Sequence, residues 1–360
     1  MRLIDMDSHF APPDEFDYVD EEFKYLTPAW LPHGDGRVAM VAPGSPVPPK
    51  VSGTLLPRKR MAGDFDADVR LRDMDALGVE RQLLNPEFGQ YTYETEPRLA
   101  AAMARSANIA IGNVIREHPD RFIGSAVLPT QSIKATMEEA QRAYDAGFPT
   151  FFIKSGQGGK NLDEQYFWPL WDFCNERNIP ISVHANTRDW GSVADPKRIG
   201  DGWGFYVGTL TDYLVITCGM VYGGVFDTFP NLKFCLAEAG ATWFPWIWDR
   251  MVLSYDMEQP ARSKTKKHPT EYLLSNIYLT VDPTEESLGH MCQRFPPVNL
   301  MLGTDYPHGD ITGRGHKPDK IRELRASHID LLLEREDLTD EAKENIAYKN
   351  AIAFLGGRIN

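Results

Sequence analysis

Residues 3–16 read LIDMDSHFAPPDEF, an apolar, strand-like start that ends in carboxylate, spacer, imidazole. Side chains alternate between the two faces of a strand, so regular pairing would put Asp5, Asp7 and His9 on one face. Two anions and an imidazole on one buried face are costly unless something binds them. A metal ion is a natural partner, because it takes deprotonated carboxylates and a neutral ring nitrogen. The plainer reading is a strand end fraying into a solvated loop, with Asp7 capping the turn.

The rest of the chain supplies the frame for that segment. Short apolar or β-branched runs recur at 2–7, 80–86, 122–129, 150–155, 181–186, 232–238, 277–282 and 299–305. Helical patterns separate them, among them ATMEEAQRAYDAG with its terminal glycine stop, YFWPLWDFCNERN and PTEYLLSN. Eight strands alternating with helices predict a parallel (β/α)8 TIM barrel in one domain spanning the 360 residues. A doubly wound open sheet fits less well, because no Gly-rich fingerprint follows the first strand. Residues 10–70, rich in Pro, Gly and charge, read as a long insertion forming a lid over the C-terminal face. A second Gly/Trp-rich loop, 190–208, is expected on the same face, and KENIAYKNAIAFLG reads as a closing amphipathic helix.

Composition narrows the partners. A formal net charge of −13 argues against nucleic acid and anionic membrane surfaces. Neither a leader nor a long apolar run stands out, so a soluble cytoplasmic protein is expected, acting on a small molecule as a homo-oligomer. The four cysteines, 174, 218, 235 and 292, form no CxxC pair. Cys218 and Cys235 read as buried small hydrophobes.

Polar residues then line up at strand ends. His184 closes the fifth strand, Glu238 the sixth and Asp305 the eighth, with His308 three residues on in DYPH. With Asp7 and His9 they belong to one rim of a barrel, where catalytic residues gather. Lys154, on the fourth strand, is read as pairing with a rim carboxylate or a substrate anion; a carboxylated, metal-bridging lysine is the alternative. Trp243, Phe244, Trp246 and Trp248 after the sixth strand, with Trp190, Trp203, Phe205 and Tyr206 in the second loop, either wall a hydrophobic pocket or, for the three tryptophans of WFPWIWDRM, form the core face of the next helix.

The motifs DMDSHF, LRDMDALGVERQLL, REHPDRFIGSAVLP, ISVHA, GVFDTFPNLKFCLAEAGATWFPWIWDRM, LMLGTDYPH and KNAIAFLG resemble, almost end to end, the amidohydrolase-related (amidohydrolase 2) family of metal-dependent barrels. The resemblance implies metal ligands at Asp7, His9, His184 and Asp305. Decarboxylases of that family carry a catalytic histidine after the sixth strand, where this chain has EAG and Glu238. That departure resembles the family's dinuclear non-haem iron or iron/manganese monooxygenases. It implies two divalent ions held by Asp7, His9, His184, Glu238 and Asp305, with Glu238 bridging and His308 either a further ligand or a donor that fixes one. The expected activity is then hydroxylation of a C–H bond in a small hydrophobic or carboxylate-bearing, terpenoid-like substrate. O2 would be consumed, and electrons would come from a separate reductase or ferredoxin, since the chain has no dinucleotide, flavin or iron–sulfur motif. The alternative is a mononuclear zinc or manganese hydrolase or non-oxidative decarboxylase, with Glu238 or His308 as the acid/base.

Overall fold

The computed structural model describes residues 1–34, 37–41, 61–87, 95–184, 205–258, 265–295, 298–308 and 320–359. Eight parallel strands follow one another around a barrel in chain order: β1 Ile4–Asp5, β2 Arg81–Pro86, β3 Phe122–Val127, β4 Thr150–Lys154, β5 Ile181–His184, β6 Phe234–Ala237, β7 Ile277–Val281 and β8 Leu300–Leu302. Backbone bonds close the ring between the first and last strands. The Met6 amide donates to the Leu302 carbonyl, that of Asp305 to Asp7, and that of His9 to Tyr306. The fold is the expected α/β barrel.

Helices α1 Ala67–Leu77, α2 Pro97–Glu117, α3 Ile133–Asp145, α4 Trp168–Arg177, α5 Phe205–Tyr222, α6 Phe244–Glu258 and α7 Leu288–Arg294 lie between successive strands. Local chemistry sets their ends. The Asp66 carboxylate accepts from the Val69 amide at the start of α1, and Gly78 leaves it at φ +79°. The PTEYLLSN segment forms a helix over Pro269–Ser275, closed at its start by a His268/Glu271 capping box.

Two apolar layers hold the barrel. Leu3, Leu77, Leu84, Phe151 and Trp171 belong to the cluster between strands and helices. Ile4, Met6, Leu83, Ile123, Cys235, Tyr278 and Met301 fill the interior, where Ala351, Phe354 and Leu355 of the last helical segment pack against them. The closing motif KNAIAFLG is thus a plug in the barrel floor. Cys235 is buried as expected, whereas Cys218 is only half-buried.

Each strand is shorter than its sequence pattern, because the ladder stops where the chain turns into the rim. The expected first strand, 2–7, shows this most. Pairing ceases after Asp5 and resumes at His9–Phe10, which run beside Asn85 and Pro86. Residues 10–70 are not one loop either. They contain a 3₁₀ turn at Glu21–Leu26, a two-stranded hairpin of Ala29–Gly34 and Arg37–Val41, and the start of α1. Residues 42–60, the core of the expected lid, lie outside the described residues, as do Trp190 and Trp203; Phe205 and Tyr206 open α5. Among the aromatics of α6, Phe244 is fully buried. Trp243, just before it, is also buried and donates its indole N–H to the Ala239 carbonyl at 3.0 Å. Trp246 is 55 % exposed, so it belongs neither to the core nor to a closed pocket. No helix among the described residues is long and apolar enough to cross a membrane.

Candidate metal centre

The break after Asp5 decides which side chains reach the site. Asp5 does not share a face with Asp7 and His9. Its carboxylate accepts from the Thr304 amide (3.0 Å) and hydroxyl (2.6 Å), the Gln82 side chain (2.7 Å) and the Asp7 amide (3.2 Å). It is a structural acceptor, and burial pushes its pKa up against those four bonds. Gln82 in turn accepts from Arg70 Nε at 2.8 Å. The fully buried Arg70 also donates to the carbonyls of His9 (2.7 Å) and Gly63 (3.1 Å) and to Ser8 Oγ (2.7 Å). Its guanidinium lies 5.2 Å from the Phe10 ring centre and 4.6 Å from that of Tyr306. A cation under the backbone of Ser8 and His9 therefore holds the irregular segment in shape.

That segment presents Asp7 and His9 to the C-terminal rim. Both are buried. Asp7 Oδ2 accepts from the Glu238 amide at 2.8 Å and from the Thr280 hydroxyl at 3.0 Å. Gly303 makes room for it, since a Cβ there would lie 2.8 Å from the Asp7 Cβ. His9 faces its neighbours ring to ring, 5.3 Å from His184 and 4.8 Å from His308 between centroids. His9 Nε2 lies 3.4 Å from Asp305 Oδ1, and His184 Nε2 lies 3.3 Å from Glu238 Oε2. Glu238 and Asp305 both adopt left-handed backbone, at φ +51° and +50°. Non-glycine residues rarely do so, and such conformations cluster where side-chain placement matters. Every expected rim residue — Asp7, His9, His184, Glu238, Asp305, His308 — is thus brought to one end of the barrel.

One member was missed. Glu87, directly after β2, is buried, with Oε2 3.2 Å from His308 Nε2 and 3.9 Å from His9 Nδ1. The signal was present in ERQLLNPEFG, a carboxylate just past a strand end, but it resembles an ordinary turn. Lys154 ends β4 in register with His184 and is buried.

The electrostatics are those of a crowded anionic site. Burial and then the Glu238 charge push the Asp7 carboxyl up to about 6, against the pull of His9 and His184. Partial burial would raise Asp305 too, but the His308 and His9 rings hold it well below the usual range. Desolvation opposes charge on His308, yet Glu87 and Asp305 raise it well above an ordinary imidazole. Among the described residues, Asp7 Oδ1 and both His9 ring nitrogens are buried without a hydrogen-bond partner. One ligand atom each from His9, Asp305 and His308 lies within 4.8 Å of the others. Orphaned donors of this kind, converging from independent strands, fit a divalent cation with mixed imidazole and carboxylate ligands. Beneath the rim, Asn85, Ser125 and Ser182 are buried and also leave side-chain polar atoms without partners among the described residues. Such a floor calls for water or a polar ligand group.

Fold and site together define a parallel α/β barrel whose ionisable residues meet at the C-terminal rim. The chain belongs to the amidohydrolase family, whose model matches residues 4–357. It is 27 % identical to a 2-amino-3-carboxymuconate-6-semialdehyde decarboxylase of Dictyostelium discoideum, over 81 % of this chain and 77 % of that protein. It is 25 % identical to a gamma-resorcylate decarboxylase of a Rhizobium species, over 68 % and 77 %. Among solved structures, a 5-carboxyvanillate decarboxylase from Novosphingobium aromaticivorans, complexed with manganese, superposes with a TM-score of 0.70 at 22 % identity, covering 99 % of this chain and 96 % of that one.

These relatives overturn the expected chemistry. They are decarboxylases, which cleave a carbon–carbon bond without net oxidation, so the iron-dependent monooxygenase reading is set aside. With it go the pair of irons, the O2 requirement and the external reductase or ferredoxin. The inference had rested on Glu238 standing where a histidine was expected. A glutamate can hold and deliver a proton as an imidazole does, so that substitution does not select redox chemistry.

Proposed function

We propose that this protein is a metal-dependent, non-oxidative decarboxylase of a small carboxylic acid whose carboxylate sits on an aromatic or conjugated carbon. The observation that carries the reading is the set of orphaned ligand atoms on Asp7 and His9 beside His184 and Asp305, in a chain similar to decarboxylases of muconate- and resorcylate-type acids. Asp7, His9, His184 and Asp305 would hold the cation. When bound it supplies a Lewis-acid anchor for anionic oxygen.

The chain's own groups do the rest. The reaction replaces a carboxylate by a hydrogen: a carbon takes a proton, the C–C bond breaks, and CO2 leaves with no change in electron count. Glu238 is the proton donor in this reading. It stands at the end of β6 with its side chain 24 % exposed, so it reaches both the site and solvent for reprotonation. Its backbone amide, bonded to Asp7, fixes where that carboxyl can point. In this reading the Asn85, Ser125 and Ser182 floor would take polar ring substituents.

The test is a panel of hydroxybenzoates and muconate-type acids incubated with manganese- or zinc-loaded protein in D2O. Release of CO2, with one deuterium at the former carboxyl carbon, supports the reading. Hydrolysis products, or oxygen from labelled O2 in the product, would defeat it.

A further inference from the structure

The loop after β6 begins with Glu238, and β7 with its following turn holds that loop from the side. The Glu238 amide donates to Thr280 Oγ1 at 2.8 Å as well as to Asp7, and the Gly240 amide donates to the Thr280 carbonyl at 3.2 Å. The next two amides, those of Ala241 and Thr242, both donate to one carboxylate oxygen, Glu285 Oε2, at 2.7 and 2.8 Å. Glu285 lies in the turn between β7 and α7, and its Oε1 accepts from the Asp282 amide at 3.3 Å. Among the described residues, this carboxylate therefore bonds to backbone amides alone. Two consecutive amides on one anionic oxygen make charge-assisted bonds, stronger than neutral ones. The turn itself is braced, because Arg335 donates to the carbonyls of Pro283 (2.6 Å) and Glu285 (2.7 Å).

Such bracing matters because Glu238 stands at φ +51°. A non-glycine residue keeps a left-handed backbone only where its surroundings over-determine it. Relaxation to ordinary backbone would swing the Glu238 carboxyl out of its place 3.3 Å from His184 Nε2. We propose that Glu285 is a positioning residue for the proton donor: it clamps the amides of Ala241 and Thr242 and so keeps Glu238 in the backbone conformation that places its carboxyl in the site. Thr280 secures the near end of the same loop but also binds Asp7, so its loss would disturb the cation site as well. Glu285 acts from the far end, through the backbone of the loop. The inference rests on Glu238 as the proton donor of the decarboxylase reading and names what holds that donor in place.

The experiment is a mutant cycle. Manganese-loaded, full-length protein is assayed for CO2 release on each acid of the panel above, and its metal is counted alongside. Wild type is compared with Glu285→Ala, Glu285→Gln, Glu238→Gln and the variant carrying both Glu238→Gln and Glu285→Ala. Glu285→Ala is expected to lower kcat by about 10²-fold, the scale of a misplaced reacting group, with KM and manganese content unchanged. Glu285→Gln, whose amide oxygen still accepts both N–H groups, recovers most of that loss. In the Glu238→Gln background, Glu285→Ala costs nothing further, because the two residues act as one unit. Where Glu285→Ala does not fold, Glu285→Asp, shorter by one methylene, takes its place with the same pattern expected. A kcat unchanged by Glu285→Ala, or lowered equally in both backgrounds, overturns the positioning role and leaves the decarboxylase standing. Full turnover by Glu238→Gln, or no CO2 from the wild type on any acid, sinks the proton-donor reading and this inference with it.

Discussion

At the level of single residues, Glu238 and Arg70 separate chemistry from support. Glu238→Gln keeps shape and hydrogen-bonding capacity but cannot donate a carboxyl proton. It is expected to fold, bind metal and lose turnover by roughly 10²–10⁴-fold, the usual contribution of a general acid. Steady-state rates beside a metal count check this, and unchanged turnover would move the proton elsewhere. Arg70→Met should do the opposite. It leaves the His9 and Gly63 carbonyls, Ser8 Oγ and Gln82 without their donor, at a cost of about 1–3 kcal/mol for each acceptor left unsatisfied. A lower urea midpoint with an unchanged slope is the expected signature. His184, Glu238, Asp305 and His308 could be placed on one rim from the sequence because each lies at or within six residues of the C-terminal end of an apolar run read as a strand. Asp5 could not, because a break in the ladder reverses the facing of a side chain and leaves no mark in residue type. Glu87 could not, because one carboxylate after a strand looks like any turn.

At the level of elements, the rim and the floor do different work. Gly303 follows β8 and lets Asp7 approach. Gly303→Ala pushes a methyl against both Asp7 and Thr280, so it should weaken metal affinity well before it unfolds the barrel. Calorimetric titration with Mn2+ alongside a thermal melt would separate the two effects, and equal affinity would show that the neighbours yield. The terminal helix is the converse case. Deleting 350–359 removes Phe354 and Leu355 from the interior cluster and should cost the fold itself, seen as dye binding and lost near-UV dichroism. All eight strands were readable from their apolar runs, and the closing helix from its periodicity. Their ends were not, because a strand stops where its neighbour stops bonding, which is a property of the pair.

For the whole molecule, the acidic rim predicts a protein that is less stable empty than loaded. Chelation should lower the melting temperature and Mn2+ should restore it, with about 2.7 kcal/mol of stabilisation when the free ion stands at 100 times its dissociation constant. A melting temperature indifferent to metal would mean the cluster holds none. The barrel was decipherable from the alternation of strands and helices. The reaction was not, because one ligand set serves both oxidative and non-oxidative chemistry and a single substitution cannot choose between them.

The closure of the barrel has a further consequence for synthesis. The Asp7 carbonyl receives the Asp305 amide, and the His9 amide gives to Tyr306, so the opening segment, paired on one side with β2, stays unpaired on its other side until the eighth strand has been made. A nascent chain leaving the ribosome carries Asp7 and His9 from the start but cannot hold them in ligand geometry until the last strand emerges. The site proposed here would therefore be completed only in the finished barrel, since a chain arrested before β8 lacks Asp305, His308 and the backbone bonds that fix Asp7 and His9.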